Sequence, residues 1–118
     1  MTLVANIAVG MVALLHVYFL VLEMFLWTRP FGRRTFGLTP EFAAASRSLA
    51  ANQGLYNGFL AAGLFWSLPS ADFPARATFF LGCVIVAGLY GGATASKGIF
   101  YFQALPGALA LGAVLLAR

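Results

Sequence analysis

The chain carries very little charge. Only 8% of its 118 residues are charged and 62% are hydrophobic, and the mean hydropathy is +0.92. A soluble domain carries about 25% charged residues because its surface must face water. Seven Lys and Arg with three Asp and Glu are too few for such a surface. The sequence therefore predicts a single integral membrane domain over residues 1–118, whose main partner is the lipid bilayer.

Cysteine and histidine are also scarce, which excludes several kinds of site. Cys83 is the only cysteine, so no internal disulfide can form. With His16 as the only histidine, the chain lacks the ligand set of a zinc or haem site, and no metal or cofactor is predicted. The net charge of +4 does not indicate a nucleic-acid partner, because the basic residues do not form a water-facing cluster.

Long uncharged windows lie between the few charged residues. Each is long enough for the roughly 20 apolar residues that a helix needs to cross the hydrocarbon core. We place the helices near residues 3–27, 49–68, 76–95 and 99–117. None of these segments alternates polar and apolar residues as a lipid-facing strand would. The prediction is an all-α polytopic membrane protein with four transmembrane helices in an antiparallel bundle.

The connections differ in length. Residues 29–38 form the longest predicted loop, rich in Arg, Gly and Pro. Thr39, Pro40 and Glu41 then give a helix start signal. We expect a short interfacial helix there that turns into, or merges with, the second span. Residues 96–98 leave so little chain that the last two spans must form a tight antiparallel hairpin.

Polar side chains gather at one depth of this arrangement. Glu23 and His16 are seven residues apart, two turns along one face of the first span. Four residues at the start of the second span share a sector of roughly 140°, and two more lie near the inner ends of the last two spans. The predicted ligand-binding residues are His16, Glu23, Asn52, Gln53, Tyr56, Asn57, Tyr90 and Gln103.

Two interpretations of this cluster remain open. In one, Glu23 is the anionic centre of a cytoplasm-facing cavity, since an ionisable group inside a membrane bundle marks a site by default. In that case Asn52 or Asn57 should hydrogen-bond it. In the other, the amides join helices by bonds worth ~1 kcal/mol each, and Glu23 reaches the interface to pair with Arg29, Arg33 or Arg34. For His16, a buried hydrogen-bonding role and a proton-carrying role are both open.

Small residues and one proline predict how the helices pack. Two glycine pairs have the spacing that lets helix backbones approach closely: Gly54 with Gly58, and Gly88 with Gly92. Pro106 has no N–H to bond the Phe102 carbonyl and should kink the fourth span.

Three segments of the sequence resemble domain-of-unknown-function family 1304. They read His-Val-Tyr-Phe at 16–19, Glu-Met-Phe-Leu-Trp at 23–27 and Asn-Gln-Gly-Leu-Tyr-Asn-Gly-Phe-Leu-Ala-Ala-Gly at 52–63. The resemblance implies a small four-span protein of the bacterial cytoplasmic (inner) membrane. It implies no reaction, ligand or catalytic residue.

Three functions fit these observations. The first is binding or transport of a small amphipathic or cationic molecule in the polar pocket, for which so small a chain predicts a homo-oligomer, a dimer or larger. The second is a membrane enzyme acting on lipophilic substrates, with Arg33, Arg34 and Arg47 holding an anionic cosubstrate. The third is a structural subunit that packs against a partner membrane protein.

The basic residues predict the orientation of the chain. Arg76 and Arg118 lie on one side of the predicted spans, and five others lie on the opposite side: Arg29, Arg33, Arg34, Arg47 and Lys97. Because loops rich in Lys and Arg stay in the cytoplasm, both termini should lie outside it. A phosphatase fused to the C-terminus should be active, and a cytoplasmic fluorescent reporter fused there should not. The opposite pattern would overturn this topology.

Overall fold

The computed structural model describes all residues from 1 to 118 and is all-α. Its helices are α1 (Thr2–Met24), α2 (Pro30–Phe36), α3 (Pro40–Ser67), α4 (Phe73–Thr94) and α5 (Leu105–Leu116), with a π-helix over Phe100–Ala104 directly before α5. No strand is present. The prediction of an all-α chain is confirmed.

The helix that begins at Pro40 does not end before the second predicted span. It continues to Ser67 as one helix of 28 residues, so the predicted interfacial helix merges with the span. The predicted helix start signal is present: the Phe42 N–H donates to Thr39 Oγ1 at 3.1 Å, and Glu41 lies in the first turn. An acid there interacts favourably with the helix dipole.

The predicted loop over residues 29–38 contains a helix that the sequence pattern did not reveal. Pro30 begins α2, and Gly37 ends it with a φ of 65°. The Leu38 N–H then donates to the Arg33 carbonyl at 2.8 Å, as in a glycine-terminated helix. Proline and glycine, taken above as loop signals, here mark the first helical position and the residue after the last.

Two helices, α1 and α4, are long and apolar enough to cross a membrane. The apolar stretch Phe100–Leu116 is shorter, and α3 does not reach the same apolar composition. Core helices of soluble proteins and signal sequences also meet this criterion. The four-span antiparallel bundle therefore stays a prediction.

The chain forms two compact units, the first from residues 1–13 and 60–118 and the second from residues 14–59. Small and branched apolar side chains fill the core of the first unit: Ala5, Val9, Val12, Ala13, Leu64, Phe73, Ala77, Leu81, Val84, Ala110 and Val114. Alanine and valine occupy most of these positions, so the helices of this unit can approach closely.

Glycines on α4 hold the last two helices of the first unit together. A Cβ on Gly88 would lie 2.5 Å from the Ala104 backbone nitrogen, and one on Gly92 would lie 2.4 Å from the Phe100 ring. Residue numbers rise on one helix as they fall on the other, so the two run antiparallel. The predicted hairpin and the contact at this glycine pair are confirmed.

The irregularity expected at Pro106 takes the form of the π-helix on its N-terminal side. The Leu105 N–H donates to the Phe100 carbonyl, five residues back, and Pro106 follows in the first turn of α5. Short π-helical turns accommodate one extra residue within a helix.

The close approach at Gly88 generates a stability prediction. Gly88→Ala should destabilise the protein by about 1–3 kcal/mol, because the new methyl meets backbone atoms that cannot rotate away. Gly82→Ala, in the same helix, is the control: a Cβ there meets nothing within 4 Å, and alanine should add up to ~1 kcal/mol of helix propensity. Chemical unfolding in detergent measures both variants. Equal effects would contradict the close packing of α4 on the π-helix.

Candidate functional site

Glu23 and Asn57 form a hydrogen-bonded pair in the second unit. Glu23 lies in the last turn of α1 and is half-buried, whereas Asn57 lies on α3 and is 6% exposed. Asn57 Nδ2 donates to Glu23 Oε1. The expected bond from a second-span amide to Glu23 is confirmed, with Asn57 rather than Asn52 as the donor.

Glycines on α3 let the pair form. A Cβ on Gly54 would lie 2.7 Å from Met24 Cγ and 3.1 Å from Glu23 Cβ, and one on Gly58 would lie 2.7 Å from Leu20 Cδ1. Gly54 is about one turn before Asn57 on the same helix face. The missing side chains therefore bring the backbone of α1 close enough for a short carboxylate and a short amide to meet.

No basic side chain neutralises Glu23. The only ion pair in the protein joins Arg76 to Asp72 at 3.7 Å, so the expected alternative, a pair with a loop arginine, is wrong. An ionised carboxylate can accept about four hydrogen bonds, and Glu23 accepts one from a neutral amide. A half-buried carboxylate without a cationic partner is costly to keep charged, so it favours either a bound proton or a positive group beside it.

His16 lies on α1 within the same unit and is completely buried. Its ring meets Phe19 edge-on, with 5.3 Å between the ring centroids. The complete burial of His16 agrees with the first of the two interpretations given above, a buried structural role. A proton-carrying role for His16 stays a prediction.

The other predicted ligand-binding residues do not surround the pair. Asn52, Gln53 and Tyr56 are exposed on α3. Tyr90, which is 73% exposed, and the half-buried Gln103 belong to the first unit. Of the eight positions, the structure brings Glu23 and Asn57 into direct contact, and a ligand-binding role for the whole set stays a prediction.

A second polar feature at the end of α1 was missed by sequence reasoning. It is a cavity of about 370 Å³ lined by Met24, Phe25, Trp27, Thr28, Arg29 and Arg47. We call it the arginine cavity. The sequence signal that could have pointed to this end of α1 is a tryptophan, Trp27, two residues before an arginine, Arg29, where the apolar segment ends.

Hydrogen bonds fix one wall of the arginine cavity. Trp27 Nε1 donates to Ser46 Oγ at 2.9 Å, and Ser46 Oγ donates to the Phe42 carbonyl at 2.7 Å. The Trp27 ring also packs on Phe36, with 4.9 Å between centroids. These contacts connect the turn after α1 to α2 and α3.

The fold and the buried pair define an all-α protein with a carboxylate held by an amide between two helices. The chain belongs to the family described as "Protein of unknown function (DUF1304)", whose model matches residues 10–115. The resemblance inferred from the three sequence segments is confirmed. The chain is 32% identical over 119 residues to the uncharacterized protein YpaA of Lactococcus lactis subsp. lactis (strain IL1403), covering 98% of this chain and 97% of that protein. No solved structure matches.

The pair predicts a coupling between two substitutions. Asn57→Ala should cost about 2 kcal/mol of stability, because a half-buried carboxylate loses its one hydrogen-bond donor. In a Glu23→Ala background the same change should cost less than ~1 kcal/mol, since the carboxylate is gone. Asn52→Ala is the exposed control and should stay within ~0.5 kcal/mol of the parent. Identical costs of Asn57→Ala in both backgrounds would show that the bond contributes nothing.

Proposed function

We propose that this protein is a four-span integral membrane protein that binds or transports a small cationic or amphipathic molecule at Glu23. The observation that carries the proposal is a half-buried carboxylate held by one neutral amide, with no cationic side chain paired to it. In a medium of low dielectric constant, a single negative charge attracts a cation far more strongly than it does in water.

The distribution of apolar side chains supports the membrane part of the proposal. Each long helix exposes large apolar side chains: Leu3, Ile7 and Met11 on α1, Leu49, Leu55 and Phe59 on α3, Phe79, Val86 and Leu89 on α4, and Leu109, Leu115 and Leu116 on α5. Large exposed apolar side chains in this number suit a surface that faces lipid. The segment Phe100–Leu116 reaches the roughly 17 residues that are the lower limit for a span.

The surroundings of Glu23 indicate the chemistry of the ligand. Asn57 donates through Nδ2, which leaves its Oδ1 to accept an N–H group of the ligand. Leu20 and Met24 pack against Gly58 and Gly54 at the same α1–α3 contact, and these apolar side chains favour a ligand with an apolar body. An ammonium or similar cation joined to an apolar group meets both requirements. Transport by so small a chain would need a homo-oligomer, a dimer or larger.

Binding of tetraphenylphosphonium tests the role of the carboxylate. This lipophilic cation should raise the unfolding temperature of the parent protein in an uncharged detergent, because a ligand that binds only the folded state stabilises it. Tetraphenylborate has nearly the same shape and the opposite charge, and it should not stabilise the protein.

The variants Glu23→Gln and Glu41→Gln separate the site from general charge effects. Glu41 is exposed in the first turn of α3, so Glu41→Gln changes the net charge equally and should keep the stabilisation by the cation. Glu23→Gln should lose it. Equal stabilisation of Glu23→Gln and the parent would remove Glu23 as the binding group.

A further inference from the structure

The basic residues around α2 have no acidic partners within the chain. Arg29, Arg33, Arg34 and Arg47 make no ion pair, because the only one joins Arg76 to Asp72. Glu23 is bonded by Asn57, and Glu41 pairs with no base. Guanidinium groups left without carboxylates can bind an anion from outside the protein.

Two of these arginines line one cavity from separate segments of the chain. Arg29 follows α1, and Arg47 lies within α3; both border the arginine cavity together with the Thr28 hydroxyl. No carboxylate lines this space. Guanidinium groups bind phosphate oxygens through paired, charge-assisted hydrogen bonds, and a volume of about 370 Å³ falls within the range of small-molecule sites.

Met24, Phe25 and Trp27 complete the lining, most of whose surface is polar. The Phe25 side chain is 65% exposed next to it. Trp27 donates a hydrogen bond to Ser46, the residue before Arg47 in the sequence. This bond holds the indole against α3. A phosphate suits the polar lining, and the exposed Phe25 side chain beside it offers an apolar contact that a lipid acyl chain can use and a free phosphate ester cannot.

The position of the cavity along the chain agrees with a lipid ligand. It begins at Met24, the last residue of a helix that is long and apolar enough to cross a membrane. Tryptophan and arginine at such a helix end lie at the depth of lipid headgroups, where anionic lipids attract basic residues.

We infer that the arginine cavity is a binding site for the phosphate of an anionic phospholipid, with Arg29, Arg47 and Thr28 as donors to the phosphate and the exposed Phe25 side chain against an acyl chain. This site is separate from the cation site at Glu23; the inference rests on the membrane location proposed above and not on cation binding.

Native mass spectrometry in an uncharged detergent can count bound lipids on the intact protein. The parent should bind phosphatidylglycerol at least tenfold more tightly than phosphatidylcholine with the same acyl chains. Arg29→Gln combined with Arg47→Gln should abolish this preference. Arg47→Lys keeps the charge but loses the planar guanidinium group, so it should weaken phosphatidylglycerol binding severalfold. If the double variant unfolds, this single variant tests the role of Arg47 instead.

A charge-matched control and a soluble competitor make the inference falsifiable. Lys97→Gln combined with Arg118→Gln removes the same charge at residues outside the cavity and should change phosphatidylglycerol binding less than twofold. A loss as large as that of the arginine variant would show attraction by net charge alone and overturn the inference. Displacement of the lipid by an equal concentration of glycerol 1-phosphate would overturn it in favour of a soluble ligand, and a parent without lipid preference would overturn it outright.

Discussion

The hydrogen bond from Asn57 to the half-buried carboxylate of Glu23 joins α1 to α3, and the proposed binding site depends on it. In a chain with three acidic residues, one of them lies inside a contact between two helices and accepts a hydrogen bond from Asn57. Burial of a charge needs compensation, and one amide supplies only part of it. A proton or a positive group can supply the rest, and for this reason we propose this carboxylate as the site that binds a cation.

Close helix packing makes the pair possible. Gly54 and Gly58 remove the side chains that would hold α1 away from α3, and Gly88 and Gly92 do the same between α4 and the segment around the π-helix. Helices in lipid associate through such close van der Waals contact, because lipid gives little hydrophobic driving force between them. Gly54 and Gly58 therefore both support the packing of α1 on α3 and position the polar pair.

The sequence predicted the helical segments, the glycine contacts and a hydrogen bond from an amide to Glu23. The angular position on the helix could not distinguish Asn57 from Asn52, because both lie in one sector. In the structure Asn57, three residues after Gly54, faces α1, whereas Asn52 is exposed. Helix α2 was missed because proline and glycine, which also mark loops, stand at its two ends. The arginine cavity was missed because Arg47 joins Trp27 and Arg29 only through the tertiary fold.

Solid-state NMR in lipid bilayers can measure the distance from the carboxyl carbon of Glu23 to Nδ2 of Asn57 and so show whether the hydrogen bond between them forms. The chain suits selective labelling, since its glutamates are Glu23 and Glu41 and its asparagines are Asn6, Asn52 and Asn57. We predict a dipolar coupling that corresponds to a separation within about 4 Å, as hydrogen-bond geometry requires, and that disappears in Asn57→Ala. A Glu23 carboxyl without that coupling, in contact with arginine nitrogens instead, would contradict this prediction.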